Sequence, residues 1–389
     1  ANIANKAPVI LNSTGTVSPI VETSDAAGSP VVYEAANVRY ISATFDSASN
    51  KVVIAYRNTT NSYYGTGVVG TVSGTSISYG TPVVFESGRT DWISATFDSN
   101  SNKVVIAYQD YPNTNKGTAI VGTVSGTSIS FGTAVVFAVQ AQHTSCSFDS
   151  ASNKVVISYT DANNLDYGTS IVGTVSGTAI SFGTAAVFQA AASIYISSAF
   201  DSNLNKVVIA YQNNASTSYG TAIVGTVSGT SIGFGSSAIF ESAGTTYIGA
   251  TFDSSNNKVV IGYKDEDNSG YGTAVVGTVS GTAISFGTPV VFEAAASSYK
   301  SLAFDSTLNK VAIAYTDEGN SNYGTVIVGT VSGTAISFGT AVVFEAASSD
   351  WISSTFDSNS NKVVIAYSDD GNSDYGTGVV FSVGGSNLT

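Results

Sequence analysis

The chain has 389 residues, of which 43% are hydrophobic and only 11% charged, and its net charge is −13. The length allows one large domain or two ordinary ones. The negative charge argues against nucleic acid or an anionic membrane as the main partner, and no apolar stretch approaches the roughly eighteen residues of a membrane span. Cys146 is the only cysteine, which excludes a disulfide within the chain.

The triplet Phe-Asp-Ser recurs seven times, at intervals of 51 or 52 residues. Each copy contains four strand-like runs, which in the second copy read WISATF, KVVIAY, GTAIVGTVS and TSISFGTAVVF. The runs are rich in β-branched residues, are bounded by Gly, Asn, Ser or Asp, and show no helical spacing. This period predicts an all-β fold, a seven-bladed β-propeller of four-stranded antiparallel blades.

The two ends of the chain predict how the propeller closes. The last copy stops after a third strand, whereas TSDAAGSPVVYE at residues 23–34 aligns with the fourth strand TAISFGTPVVFE at residues 282–293. We therefore predict that the N-terminal strand completes the last blade, which leaves no open sheet edge. Residues 1–22, with the third-strand fragment GTVS at 15–18, are predicted to be an extension on the surface of a single domain, residues 23–389. The predicted repeats lie near 40–86, 92–138, 143–189, 195–241, 247–293, 299–345 and 351–385, the last completed by 23–34.

These repeats resemble those of repeat-built propellers in general, and most closely those of secreted or virion-borne lectin-like propellers. The chain has no repeated Trp-Asp dipeptides, no paired-glycine kelch pattern and no full Asp-box. The resemblance implies a location outside the cell or on a virion surface. Function must still be argued from a site, because a propeller fold does not determine it.

Sequence variation is concentrated on one predicted face. The turns FDSxSNK and VSGTxIS hardly change between copies, whereas the loops between second and third strands, and the crossovers between blades, differ in every copy. The variable face carries eighteen acidic and six basic residues, so it holds nearly all of the net charge. Solubility explains part of this charge. The concentration of charge on one face also favours cationic or hydroxyl-rich partners.

One position, just before the first strand of each blade, is aromatic throughout. It holds Tyr40, Trp92, His143, Tyr195, Tyr247, Tyr299 and Trp351, which include both tryptophans and the only histidine. We predict that these side chains surround the mouth of the channel on the variable face and bind a ligand, because aromatic faces stack on the apolar patches of sugars. The alternative is that they pack between blades as part of the interior.

A weak calcium site is the second candidate. Asp265, Asp267 and Ser269 place oxygen ligands at the first, third and fifth positions of a calcium-type loop, and Gly270 follows. The bidentate carboxylate expected at the twelfth position is missing, because Val276 stands there. A solvated acidic turn is the alternative.

The sequence contains little catalytic chemistry. His143 and Cys146 form the only Cys/His pair, and no nucleophile motif accompanies them. Sugar hydrolysis by a pair of carboxylates remains an alternative, because it depends on the distance between the two groups, which a sequence does not give. We therefore expect a monomeric, non-enzymatic propeller that binds a glycan or another surface ligand. A protein interaction scaffold is the first alternative, and a carbohydrate-active enzyme is the second.

Overall fold

The computed structural model describes residues 9–11, 17–19 and 21–387. Their strand pairings form a closed succession of seven antiparallel units of four strands, so the predicted all-β propeller fold is confirmed. Among these residues, three single-turn 3-10 helices lie between second and third strands, at Asn214–Ser216, Glu318–Asn320 and Asp370–Asn372. No helix in the described part of the chain is long and apolar enough to cross a bilayer.

The longest elements are strands that pass from one blade to the next. Each begins at the outer edge of one blade and ends as the innermost strand of the following blade. These crossover strands are Val31–Asp46, Val83–Asp98, Ala186–Asp201, Ala238–Asp253, Val290–Asp305 and Val342–Asp357, and in one copy the strand is split into Val135–Ala138 and Ala141–Asp149. The variable crossover residues belong to these strands, because they keep pairing with the blades on both sides.

The second and third strands form the middle of each blade and are almost wholly buried. The second strands are Lys51–Asn58, Lys103–Asp110, Lys154–Asp161, Lys206–Asn213, Lys258–Asp265, Lys310–Asp317 and Lys362–Asp369. The third strands are Tyr64–Ser73, Lys116–Ser125, Tyr167–Ser176, Tyr219–Ser228, Tyr271–Ser280, Tyr323–Ser332 and Tyr375–Ser382. Both faces of a blade touch neighbouring blades, which explains why the apolar residues in the middle of these runs are consecutive rather than alternate.

The outermost strand of each blade is divided into two pieces. The first pieces are Ser76–Tyr79, Ser128–Phe131, Ala179–Phe182, Ser231–Phe234, Ala283–Phe286 and Ala335–Phe338. The second piece is the start of the next crossover strand, and both pieces pair with the same third strand. Gly80 stands at the first break, where a Cβ atom would lie only 1.8 Å from the carbonyl oxygen of Thr127 in the next blade. The break therefore needs glycine for close approach between blades.

The N-terminal strand closes the molecule as predicted. Ala27 pairs with Phe381, and Val32 pairs with Thr377, so residues from the start of the chain form the outer strand of the last blade. The short strand Ala26–Ala27 and the first residues of the crossover strand Val31–Asp46 supply this edge. Val21–Glu22 also pairs with Ser386–Asn387.

The predicted surface extension is described only in part. Val9–Leu11 pairs with Val17–Pro19, whereas the first two residues of the fragment at 15–18 lie outside the described residues. The boundary between an extension and a domain therefore stays a prediction.

The apolar core lies between the blades. Seven clusters of buried side chains each combine residues of two neighbouring blades. One of them joins Val52 and Ile54 of the first blade to Val364 and Val380 of the last. The circle of blades is thus closed by side-chain packing as well as by strand pairing.

Candidate functional site

The seven aromatic positions share an unusual backbone conformation. All seven have a positive φ between 46° and 53°, a region that bulky residues rarely occupy. Each lies at a β-bulge in a crossover strand. In the first blade, for example, Tyr40 and Ile41 both stand opposite the single residue Tyr56. A bulge re-aims the side chain that it carries, and here it does so once in every blade.

The seven side chains contact one another in a closed circle, which we call the aromatic circle. Neighbouring ring centroids are 3.9 to 5.5 Å apart, and most neighbouring rings are tilted rather than parallel. The circle is completed by Trp351 and Tyr40, whose centroids are 4.3 Å apart. Every member is partly buried. The structure therefore brings the predicted residues together, while a ligand-binding role for them stays a prediction.

A cavity of about 190 Å³ lies within and below the aromatic circle. Six members of the circle line it, together with residues that follow circle members in the sequence. The positions after the circle hold Ile41, Ile93, Thr144, Ile196, Ile248, Lys300 and Ile352. The wall beneath the aromatic rings is thus apolar except in two blades.

A second, polar pocket of about 150 Å³ adjoins the circle where the last blade meets the first. We call it the rim pocket. It is lined by Arg39, Tyr299, Asp350, Trp351, Ser368, Asp370 and Asp374. Because Tyr299 and Trp351 belong to the circle as well, carboxyl groups and a guanidinium group lie directly beside two of its aromatic rings.

The carboxyl groups of the rim pocket perturb one another. Partial burial and a hydrogen bond with Asp374 raise the pKa of Asp370 to about 7, and partial burial raises the pKa of Asp350. Ser348 donates a hydrogen bond to Asp370 at 2.9 Å, and Asn37 donates one to Asp374. A carboxyl group that is partly protonated near pH 7 can donate as well as accept hydrogen bonds.

Arg57 contacts a ring of the circle, and Arg89 shares its carboxylate partner. Asp91 forms ion pairs with Arg57 and with Arg89, the latter at 2.8 Å. The guanidinium carbon of Arg57 lies 4.6 Å from the ring centroid of Tyr40, and that of Arg89 lies 4.6 Å from that of Tyr111. Cation–π contacts of this kind hold an aromatic ring in place. Asp91 and Arg57 are buried, so this pair positions Tyr40 rather than facing solvent.

Five glutamates that the sequence assigned to the acidic face connect blades instead. Each accepts a hydrogen bond, at 2.8 to 3.2 Å, from the buried tyrosine on the second strand of the next blade. The pairs are Tyr56–Glu34, Tyr108–Glu86, Tyr263–Glu241, Tyr315–Glu293 and Tyr367–Glu345. The sequence interpretation missed this role, although the constant spacing of 22 residues between partners was a signal. Fewer acids of the variable face are therefore available to a ligand than the sequence count implied.

The variable loops differ in side chains but share one backbone. Two consecutive residues with positive φ end each loop, from Ser62 and Tyr63 in the first to Ser373 and Asp374 in the last. In six loops the first residue, Asn or Asp, accepts backbone hydrogen bonds from within the loop, as Asn58 does. This is how Asx turns are stabilised. The variable face therefore presents different side chains on loops that share one backbone conformation.

The predicted calcium loop is one of these turns. The carboxylate of Asp265 accepts a hydrogen bond from the backbone N–H of Asn268 at 3.2 Å, Ser269 is the first residue with positive φ, and Asp267 is exposed. Within the described residues, no three His, Cys, Asp or Glu side chains converge as a metal site. Since the loop offers only two aspartates, weak calcium binding there stays a prediction.

His143 and Cys146 are both held in their neutral forms by burial. Burial lowers the pKa of His143 to about 4, and its Nδ1 accepts a hydrogen bond from the backbone N–H of Tyr195 at 3.3 Å. Burial raises the pKa of the Cys146 thiol to about 12. At neutral pH the thiol is not a thiolate, which a cysteine nucleophile requires.

Solved structures of β-propellers are similar to this chain. The BP39L lectin from Burkholderia pseudomallei is similar over 91% of this chain and 98% of its own, with a TM-score of 0.65 and 10% sequence identity. The Cps50 (Swd1) β-propeller domain from Myceliophteria thermophila is similar over 89% of this chain and 96% of its own, with a TM-score of 0.55 and 9% identity. A leech intramolecular trans-sialidase is similar over 92% of this chain and 70% of its own, with a TM-score of 0.51 and 9% identity.

These likenesses place the chain in the β-propeller class of folds and confirm the predicted resemblance. No protein-family model and no curated protein matches the sequence. One of the similar structures is a lectin and another is an enzyme. At about 10% identity a likeness shows the fold alone, so function has to be argued from the site.

Proposed function

We propose that the protein is a non-enzymatic propeller that binds glycans in the aromatic circle and its rim pocket. The observation that carries the proposal is the closed circle of seven partly exposed aromatic side chains around a cavity of about 190 Å³. This cavity is smaller than the roughly 300–1,000 Å³ of sites for drug-sized ligands. Its size suits a single sugar ring or the end of a chain.

The two pockets supply complementary chemistry. The circle offers aromatic faces and edges for the C–H groups of a sugar ring. The rim pocket offers Asp350, Asp370, Asp374 and Arg39 for its hydroxyl groups. Sites with apolar walls and a few convergent polar groups are typical of small-molecule recognition. A lectin among the similar structures is consistent with this use of the fold.

Sugar hydrolysis is the second candidate, because the raised pKa of Asp370 resembles that of a general acid. A working pair of carboxyl groups is about 5–5.5 Å apart in retaining glycosidases and about 6.5–9.5 Å apart in inverting ones. Asp370 and Asp374 are instead close neighbours, since the side chain of Asp374 raises the pKa of Asp370. This proximity favours binding over catalysis for that pair.

A glycan array with the purified protein tests the proposal. We expect binding that is lost in Trp92→Ala and in Trp351→Ala, and retained in Trp92→Tyr, which restores the residue most common in the circle. Tyr111→Ala is the matched control, because Tyr111 is an exposed aromatic residue outside the circle. Equal binding by all variants would place the glycan elsewhere. No binding by the parent would leave the protein interaction scaffold as the better proposal.

The setting of this activity is also a proposal. We infer a monomeric protein that works outside the cell or on a virion surface, in keeping with its low charge content and its single, partly buried cysteine. Light scattering combined with size-exclusion chromatography measures the oligomeric state, and a dimer mass would contradict the monomer.

A further inference from the structure

Lys300 departs from the repeat at a position inside the molecule. Five of the seven blades have isoleucine directly after the circle residue, whereas this blade has a lysine. The sequence interpretation counted Lys300 among the bases of the variable face. The structure buries it, with only 7% of its surface exposed, and it lines the cavity beneath the aromatic circle.

Lys300 has no direct ion pair among the described residues, although Glu318 and Glu266 lie near enough to favour its charged form. Its Nζ donates one hydrogen bond, to the carbonyl oxygen of Ser297 at 2.6 Å. Among the described carboxylates none forms an ion pair with it, and the nearby Glu318 is instead paired with Lys264 at 3.0 Å. An ammonium group can donate three hydrogen bonds, so this environment satisfies the charged form poorly.

The surroundings of Lys300 are largely apolar and include Ile248 and Ile352 of the cavity wall. Leu302, two residues further on, occupies space that two glycines leave free, since a Cβ atom at Gly249 or at Gly262 would lie 2.8 or 3.2 Å from its Cδ1. Other copies have alanine, serine or cysteine at the position of Leu302. Burial in these surroundings lowers the pKa of Lys300 well below its usual range. A lysine with a lowered pKa has a larger fraction of neutral amine at a given pH, and the neutral amine is the nucleophile.

We propose that Lys300 is a covalent carbonyl-binding site, whose amine condenses with a small aldehyde that enters through the aromatic circle. The lone pair of Nζ attacks the carbonyl carbon, and a proton moves from nitrogen to oxygen to give a carbinolamine. Loss of that hydroxyl group as water then forms the C=N bond of an imine. The step needs no oxidant or reductant. The open-chain form of a reducing sugar belongs to the same chemical class, but the site does not depend on glycan binding by the tryptophans.

Reductive trapping tests this site. The native protein is treated at pH 7 with propanal and cyanoborohydride, which converts an imine into a stable secondary amine, and the labelled lysines are identified by peptide mapping. We expect Lys300 to be labelled at least ten-fold faster than Lys264, which is ion-paired on the variable face. Lys51 of a constant hairpin is a second comparator.

Lys300→Ile gives the matched control, because isoleucine is the residue of five other blades at this position. The variant should fold and lose the fast-labelling site, while the other lysines keep their rates. Labelling of Lys300 in the parent no faster than that of Lys264, or only after the protein is unfolded in urea, would overturn the proposal. The parent peptide map decides the question even if a variant fails to fold. A glycan array that remains positive with Lys300→Ile would separate this proposal from the glycan-binding one.

Discussion

A tryptophan, tyrosine or histidine with positive φ costs about 1–3 kcal/mol, yet this chain has such a residue at the same place in all seven blades. The bulge that imposes the conformation turns each side chain toward the channel, where it meets two neighbours of the circle. Aromatic contacts contribute about 0.5–1.5 kcal/mol each beyond burial. The strain and the circle are therefore two consequences of one inserted residue.

His143 makes the stability of the circle dependent on pH. Burial lowers its pKa to about 4, whereas an unfolded histidine has a pKa of about 6.5. Between these values the unfolded chain binds a proton that the folded chain does not, so the free energy of unfolding falls as the pH falls. His143→Tyr introduces the residue that stands at four other circle positions. It should reduce the loss of unfolding free energy between pH 7 and pH 4 by about 1–3 kcal/mol. Urea unfolding at several pH values measures it, and equal losses in both proteins would contradict the assignment.

At the scale of strands, the sequence predicted the four strand-like runs of each blade. It did not predict that a single strand continues from the outer edge of one blade to the inside of the next. The β-branched second and third strands were clear, because both of their faces are apolar. The crossovers contain Ala, Ser, Gly and charged residues, which are typical of loops, yet they continue as strands such as Val83–Asp98. Pairing with two successive blades compensates for their weak local propensity. Such long-range pairing is not visible in a local pattern.

The tyrosine–glutamate pairs connect one blade to the next, and their strength can be measured. Tyr315→Phe removes the hydroxyl group that donates to Glu293 at 2.9 Å. We expect the free energy of unfolding to fall by about 1.5–3 kcal/mol, the range for a hydrogen bond to a charged group. Chemical denaturation of the variant and the parent gives the difference.

The chain contains its own control for that bond. Tyr159 occupies the equivalent position in another blade, but Ala138 stands where the glutamate would be. Tyr159→Phe should therefore cost clearly less than Tyr315→Phe. Equal costs for the two substitutions would show that the glutamate does not stabilise the junction.

On the scale of the whole molecule, closure depends on a strand from the opposite end of the chain. The alignment of residues 23–34 with fourth strands predicted this arrangement, because seven repeats with one incomplete copy leave only one place for the extra strand. A chain that begins at Ala35 lacks that strand and exposes the third strand Tyr375–Ser382 as an edge. We expect it to lose more than about 4 kcal/mol of stability, a loss that single substitutions rarely reach.

A chain that begins at Thr23 is the control for this truncation, because it keeps the closing strand. Its melting temperature should stay close to that of the parent, as measured by calorimetry under identical conditions. If the two truncated chains melt at the same temperature, the N-terminal strand does not close the propeller.

The candidate site was also partly predictable from the sequence, because part of it follows the repeat. The circle occupies a single repeated position, and that position holds both tryptophans and the only histidine, which is a pattern that the sequence alone displays. The rim pocket could not be predicted, because it joins Arg39 of the first blade to Asp350, Asp370 and Asp374 of the last. The burial of Lys300 was missed as well, since a lysine in a variable segment ordinarily faces solvent.

Intrinsic fluorescence tests the central claim most directly, because Trp92 and Trp351 are the only tryptophans and both lie in the aromatic circle. The protein is titrated with a glycan that it binds on the array, and the same titration is made with Trp92→Tyr and Trp351→Tyr, each of which keeps one emitter. If the glycan binds in the circle, tryptophan emission should change in intensity or wavelength with a midpoint that matches the affinity measured by calorimetry. Saturating glycan that binds by calorimetry but leaves the emission of all three proteins unchanged would contradict a site in the circle.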